Sequence, residues 1–145
     1  MHAFSIALDW QGGRNGDGEI TTRHLTVPIS IPKEMGGPDI GTNPDEMLVG
    51  AAATCYLITL AAMLEASRIV SRIDMRSTAF IDEAKGILTY RRIVHAPCIY
   101  IAQEQDYEKV EKLAHRAEKS CMISRALKGN VEIALQITIV KEEKL

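Results

Sequence analysis

The sequence has little with which to build a disulfide framework, a nucleic-acid face or a metal centre. Its 145 residues include three cysteines, Cys55, Cys98 and Cys121, with no Cys-x-x-Cys pair. That excludes a secreted disulfide scaffold and predicts a reducing, cytoplasmic setting. Positive charge is not in excess: 17 Lys and Arg stand against 19 Asp and Glu, a net charge of −2. Nucleic acid or an anionic membrane would demand a basic face, and no Lys/Arg run here is flanked by aromatics. The histidines His2, His24, His95 and His115 lack zinc-ligand spacing, and each reads as a surface or strand residue. Gly12, Gly13, Gly16 and Gly18 do not fit the dinucleotide fingerprint and do not open a helix. The opening MHAFSIALDW has no basic segment and reaches Asp9 early, so no signal peptide is expected. No linker, repeat or charge block divides the chain, which predicts a single domain over residues 1–145.

What is present is ordinary globular material, 46% apolar and 25% charged. A chain of this size buries roughly 68–70% of its unfolded surface, enough for a core of its own. Residues 2–10 and 19–31 have strand composition, joined by the glycine-rich turn QGGRNGDG; Pro28 marks an edge or a bulge. Asn43-Pro44-Asp45-Glu46 starts a helix running to about Ser67, with Asn43 as cap and Pro44 in the first turn. Two long strands, 72–84 and 87–102, meet at Lys85-Gly86, and Pro97 could interrupt the second. Residues 105–120 are amphipathic, with Tyr107, Val110, Ala114, Ala117 and Cys121 on one face. Gly129-Asn130 ends that helical stretch, and 131–140 alternates as a last strand. Adjacent antiparallel strands interleaved with helices predict an α+β fold.

Met47 to Leu64 carries no charge and has the length of a membrane span. Its small residues (Gly50, Ala51, Ala52, Ala53, Ala61, Ala62) and flanking acids favour the centre of a soluble core, where a helix apolar on all sides needs cover all round. A homodimer that shares these helices would supply it.

Cys55 lies inside this helix. Alone, it reads as a small buried hydrophobe, as do Cys121 and Cys98. Arg14, on the glycine-rich turn, is either a solvated arginine or a cation aimed at an anion or thiolate; a guanidinium near a cysteine favours the reactive thiolate. Asp45 and Glu46 are dipole partners of the helix, or one of them clamps Arg14. Asp45 falls roughly 80° around the axis from Cys55 and Glu46 about 180°, which favours Asp45, although roughly 15 Å separates Asp45 from Cys55 along the helix. An antiparallel copy of the helix from a partner subunit would close that distance.

Several segments resemble the OsmC/Ohr family, the osmotically inducible and organic hydroperoxide resistance proteins. Gly12-Gly13-Arg14 resembles its arginine turn, and Pro32-Lys33-Glu34-Met35-Gly36-Gly37 the following loop. Gly41 to Pro44 with Ala53-Thr54-Cys55-Tyr56 resembles the helix bearing its reactive cysteine. Ser120-Cys121 through Ser124, Ala126 and Gly129-Asn130-Val131 resembles the segment with its second cysteine.

The resemblance implies a thiol peroxidase for organic hydroperoxides. It implies an intertwined homodimer, antiparallel sheets wrapped around long central helices, and sites at the subunit interface. Cys55 would be the peroxidatic and Cys121 the resolving cysteine, joined as a disulfide during turnover. Arg14 would activate the thiolate, and Asp45 stands where the family usually has glutamate. Met122 stands where many members have proline. A dithiol, of lipoyl type in the Ohr branch, would regenerate the enzyme; no metal, flavin or haem is called for. The residues alone leave the Ohr and OsmC branches open. They also allow a non-catalytic dimer that binds a small apolar ligand, or a thiol redox switch.

Overall fold

A computed structural model describes all of residues 1–145, in two compact units, Met1–Met47 and Leu48–Leu145.

The N-terminal unit is a three-stranded antiparallel sheet of β1 (Ala7–Gln11), β2 (Asp17–Thr21) and β3 (Thr26–Ile29). The expected single strand over 19–31 is two strands. Thr22 turns the chain, its Oγ1 accepting the Leu25 backbone N–H at 3.1 Å. Pro28 lies on edge strand β3, where its missing N–H is tolerated. The turn after β1 needs glycine at Gly16, where a Cβ would stand 2.0 Å from the Gln11 carbonyl oxygen. Beyond β3, the buried Ser30 hydroxyl accepts the N–H groups of Ile40 and Gly41, folding the 31–41 loop back on itself.

Helix α1 (Pro44–Ala66) begins as the sequence predicts. Asn43 Oδ1 accepts the Glu46 N–H at 3.0 Å and Asn43 Nδ2 donates to Glu46 Oε1 at 2.8 Å, a reciprocal cap. The helix ends at Ala66, and Arg68 just beyond it takes a φ of 59° that lets the Ile69 N–H reach back to the Leu64 carbonyl at 2.9 Å.

In the C-terminal unit β4 (Ser71–Ala84) and β5 (Ile87–Ile101) form a long hairpin. Lys85 and Gly86 both take positive φ, the two-residue turn that matches strand twist. Arg91 bulges out of β5. Helices α2 (Tyr107–Ser120) and α3 (Met122–Leu127) follow, then β6 (Glu132–Leu135) and β7 (Thr138–Lys141).

Three expectations are corrected here. The last strand is two strands, broken at Gln136, whose N–H donates to the His95 carbonyl at 2.9 Å. Both pair with β5 in parallel, so the sheet is mixed and not purely antiparallel. The helical crossover between β5 and β6 returns the chain to the same end of the sheet, as parallel pairing requires. Pro97 does not interrupt β5. It falls in the interval where β6 has ended and β7 has not begun.

The main core joins Tyr56, Leu60 and Leu64 of α1 to Ile99 and Ile101 of β5 and to Val110, Ala114, Ala117 and Cys121. Tyr107 is partly exposed, so the apolar face of α2 starts at Val110. The inward residues of α1 recur every fourth position, one stripe of the helix. The opposite side, with Gly50, Ala51, Thr54, Ala61, Ala62 and an Ile58 that is 63% exposed, is uncovered.

Candidate active site

The candidate site is centred on a pair of sulfurs. Cys55 projects from the middle of α1 and is half-buried; Cys121 is fully buried. Cys121 is not the last residue of α2 but the joint between α2 and α3, with φ −59° and ψ 126°. Its N–H donates back to the Ala117 carbonyl at 2.9 Å, which anchors the joint to α2. The turn at Cys121 exposes the first N–H groups of α3, which have no partner within their own helix.

Those groups converge on Cys55. Burial alone would raise the Cys55 thiol pKa. The hydrogen bond from the Cys121 thiol, together with the Ile123 and Met122 N–H groups and the Thr59 hydroxyl, more than offsets it and brings the pKa below that of an ordinary cysteine. Thr59 Oγ1 also lies 2.7 Å from the Cys55 carbonyl oxygen, so its single proton serves either the carbonyl or the sulfur. Cys121 moves the other way. Burial and the neighbouring Cys55 sulfur raise its pKa, only partly opposed by Ser124 and the Ile123 N–H. The two sulfurs are thus driven apart in acidity, Cys55 toward the thiolate and Cys121 toward the thiol. Such a pair sets a more acidic thiol beside a less acidic one.

Arg14 and Asp45 belong to the N-terminal unit. Arg14 is exposed on its turn, which the Trp10 indole pins by donating to the Gly13 carbonyl at 3.1 Å. The guanidinium donates to the Met35 carbonyl, joining the arginine turn to the loop over residues 32–37. Gly36 takes a φ of 74° beside it, with the guanidinium 3.6 Å from where a Cβ would stand. Asp45 is half-buried in the first turn of α1. Glu46, the other acid considered for Arg14, is exposed and engaged with Asn43.

Cys98 sits apart from this site on β5, opposite Asp74 of β4 and beside the Tyr100 hydroxyl. Sequence reasoning missed Thr59, although its place one turn after Cys55 made it readable. It also missed the Met122 and Ile123 donors, because backbone N–H groups leave no mark in residue type.

Comparison with known proteins shows the family and the fold. The OsmC-like protein family model matches residues 36–136, and the chain belongs to that family. The uncharacterized protein YmaD of Bacillus subtilis is 48% identical over 142 residues, 95% of each chain. The organic hydroperoxide resistance protein OhrB of the same organism is 24% identical over 139 residues, 94% of this chain and 99% of its own. The OsmC-like protein VCA0330 of Vibrio cholerae, 15% identical, superposes with a TM-score of 0.77 over 93% of this chain and 99% of its own. The fold is thus the α+β OsmC-like fold.

Proposed function

We propose that this protein is a cysteine-based peroxidase that reduces organic hydroperoxides to alcohols. The observation that carries the reading is the neighbouring Cys55–Cys121 pair, the half-buried sulfur favoured toward the thiolate and the buried one toward the thiol. The Cys55 thiolate attacks the distal peroxide oxygen; the O–O bond breaks, an alkoxide leaves and takes up a proton as the alcohol, and Cys55 becomes a sulfenic acid. Cys121 then attacks the Cys55 sulfur, water leaves, and a disulfide forms before further oxidation can occur. A dithiol of lipoyl type reopens it by exchange and is itself oxidised to a disulfide. Arg14 is assigned to the thiolate and the developing alkoxide, with Asp45 as its acidic partner. The relative named for organic hydroperoxide resistance supports the substrate class.

We read the working form as a homodimer in the cytoplasm. Helix α1, at 23 residues and a mean hydropathy of 2.0, is long and apolar enough to cross a membrane. Its inward stripe lies in a protein core, and its uncovered side of small residues suits a second copy of the helix. Sedimentation as a monomer at micromolar concentration would overturn this reading.

The deciding experiment adds one equivalent of cumene hydroperoxide to the reduced protein and maps disulfides by mass spectrometry. A rapid Cys55–Cys121 bond, absent in Cys55→Ser, is expected. Two free thiols after treatment would refute the peroxidase.

A further inference from the structure

Resting on the peroxidase reading, we propose that Tyr56 is a positioning residue for the resolving step, its hydroxyl fixing α2 against α1 so that Cys121 Sγ stays aimed at Cys55 Sγ. Tyr56 follows Cys55 directly on α1 and is fully buried. Its hydroxyl donates to the Ala114 carbonyl of α2 at 3.0 Å. One turn further along α2, the Ala117 carbonyl accepts the Cys121 N–H. The two sulfurs are therefore linked by a short path: Cys55 to Tyr56 through the chain, Tyr56 to Ala114 through the hydroxyl, and Ala117 to Cys121 through the last hydrogen bond of α2.

The ring packs where the partners are small. Ala114 and Ala117 are fully buried and offer α1 little relief to interlock with. Apolar packing against alanines resists separation but resists sliding along the helix axis poorly. The directional hydrogen bond supplies what the alanines lack. The ring is restrained from tilting by its stack on His95 of β5, centroids 5.2 Å apart and planes at 10°. His95 is held in turn by Ser77 Oγ of β4, 2.7 Å from Nδ1. Burial and the charge of Glu118 push the Tyr56 pKa far up, so the hydroxyl keeps its proton and remains a donor.

This placement matters to one step more than the other. In the first step the peroxide comes to Cys55. In the second, Cys121 Sγ must line up behind the breaking S–O bond of the sulfenic acid, and a displacement of about 1 Å can cost up to about a hundredfold.

The test is Tyr56→Phe, which keeps the ring and its stack and removes the donor. Dimedone trapping and stopped-flow fluorescence separate sulfenic acid formation from disulfide formation. The expected result is disulfide formation slowed about tenfold or more, with more Cys55 over-oxidised to sulfinic acid. The high-pH plateau of the first step stays within about twofold, and its pH profile moves upward because Cys121 supports the Cys55 thiolate less well. Leu64→Ala is the packing control, a fully buried residue of the same core two turns along α1. If Tyr56→Phe leaves disulfide formation unchanged, or if Leu64→Ala slows it just as selectively, the proposal is overturned. If the wild-type protein forms no disulfide at all, the peroxidase reading fails instead.

Discussion

The two units are built on different principles. The C-terminal unit is held by a core: α1, β5 and α2 contribute eight buried residues to one cluster, which Ile69 and Cys121 complete. The N-terminal unit buries Ile20, Ser30, Pro32 and Asn43 and leaves Phe4, Ile6, Leu8 and Trp10 exposed. Its shape comes from sheet hydrogen bonds, the Ser30 and Asn43 side chains and glycine turns. Chemistry divides along the same line. The sulfurs sit at the main core, Cys121 within it and Cys55 packed against it. The guanidinium sits on an exposed turn, held by hydrogen bonds and not by a core.

This contrast is broken most directly by truncating one large side chain in each unit. Leu60→Ala, at a fully buried position, is expected to destabilise by about 2–5 kcal/mol. Leu8→Ala, at a residue 57% exposed, is expected to change the stability of the isolated chain by less than about 1 kcal/mol. Urea unfolding of both variants measures the difference. A large loss from Leu8→Ala that depends on protein concentration would locate that side chain in a subunit interface. Arg14→Ala sharpens the chemical side of the contrast. It should leave the melting temperature nearly unchanged and lower kcat/KM for cumene hydroperoxide about a hundredfold, the scale of one lost electrostatic donor. A parallel loss of stability would make Arg14 a structural residue.

The same contrast governs what could be read from the sequence. Helix α1 announces itself through Asn43, Pro44 and the apolar run, and the β4–β5 turn through Lys85-Gly86, because caps and turns are local chemistry. The break between β2 and β3 passes unseen, since Thr22 to Leu25 contains no glycine or proline and turns on a threonine hydroxyl. The parallel pairing of β6 and β7 depends on where a 30-residue crossover lands, which no local pattern specifies. In the site, the two cysteines and the arginine turn stood out as residue types. The resemblance, not the spacing, paired Cys55 with Cys121. What sets the polarity of the pair, backbone N–H groups presented by a break between two helices, is geometry alone.

His95 gives a smaller effect, on stability. Composition placed it among surface or strand histidines; it is a strand residue, but fully buried, with Nε2 lacking a hydrogen-bond partner. Burial lowers its pKa from the ordinary histidine value of 6.5. The unfolded chain then binds a proton that the folded chain refuses, so stability falls as pH drops below about 6.5 and is fully present above it. The melting temperature should decline between pH 6.5 and 5, with a shallower slope in His95→Phe. Identical slopes in the two proteins would show that protonation of this ring does not limit acid stability.

The smallest expected effect concerns Met122, at the residue where the second sulfur's turn becomes α3. Proline is well suited to the first position of a helix, because the N–H it lacks has no intrahelical partner there. In this chain that N–H is not idle: it is one of the two backbone donors that favour the Cys55 thiolate. Met122→Pro should therefore preserve the fold while removing one donor from the sulfur. The Cys55 pKa should rise by a fraction of a unit, on the order of 1 kcal/mol or less for one donor among four. The rate of sulfenic acid formation should fall a few-fold near neutral pH and recover at high pH, where the thiol is ionised in both proteins. Iodoacetamide alkylation of Cys55 as a function of pH, in a Cys98→Ser background, measures this directly. An unchanged alkylation profile would mean that the Ile123 N–H and the Cys121 thiol alone suffice to hold the charge. A loss that persisted at high pH would mean that proline had displaced the α2–α3 joint itself.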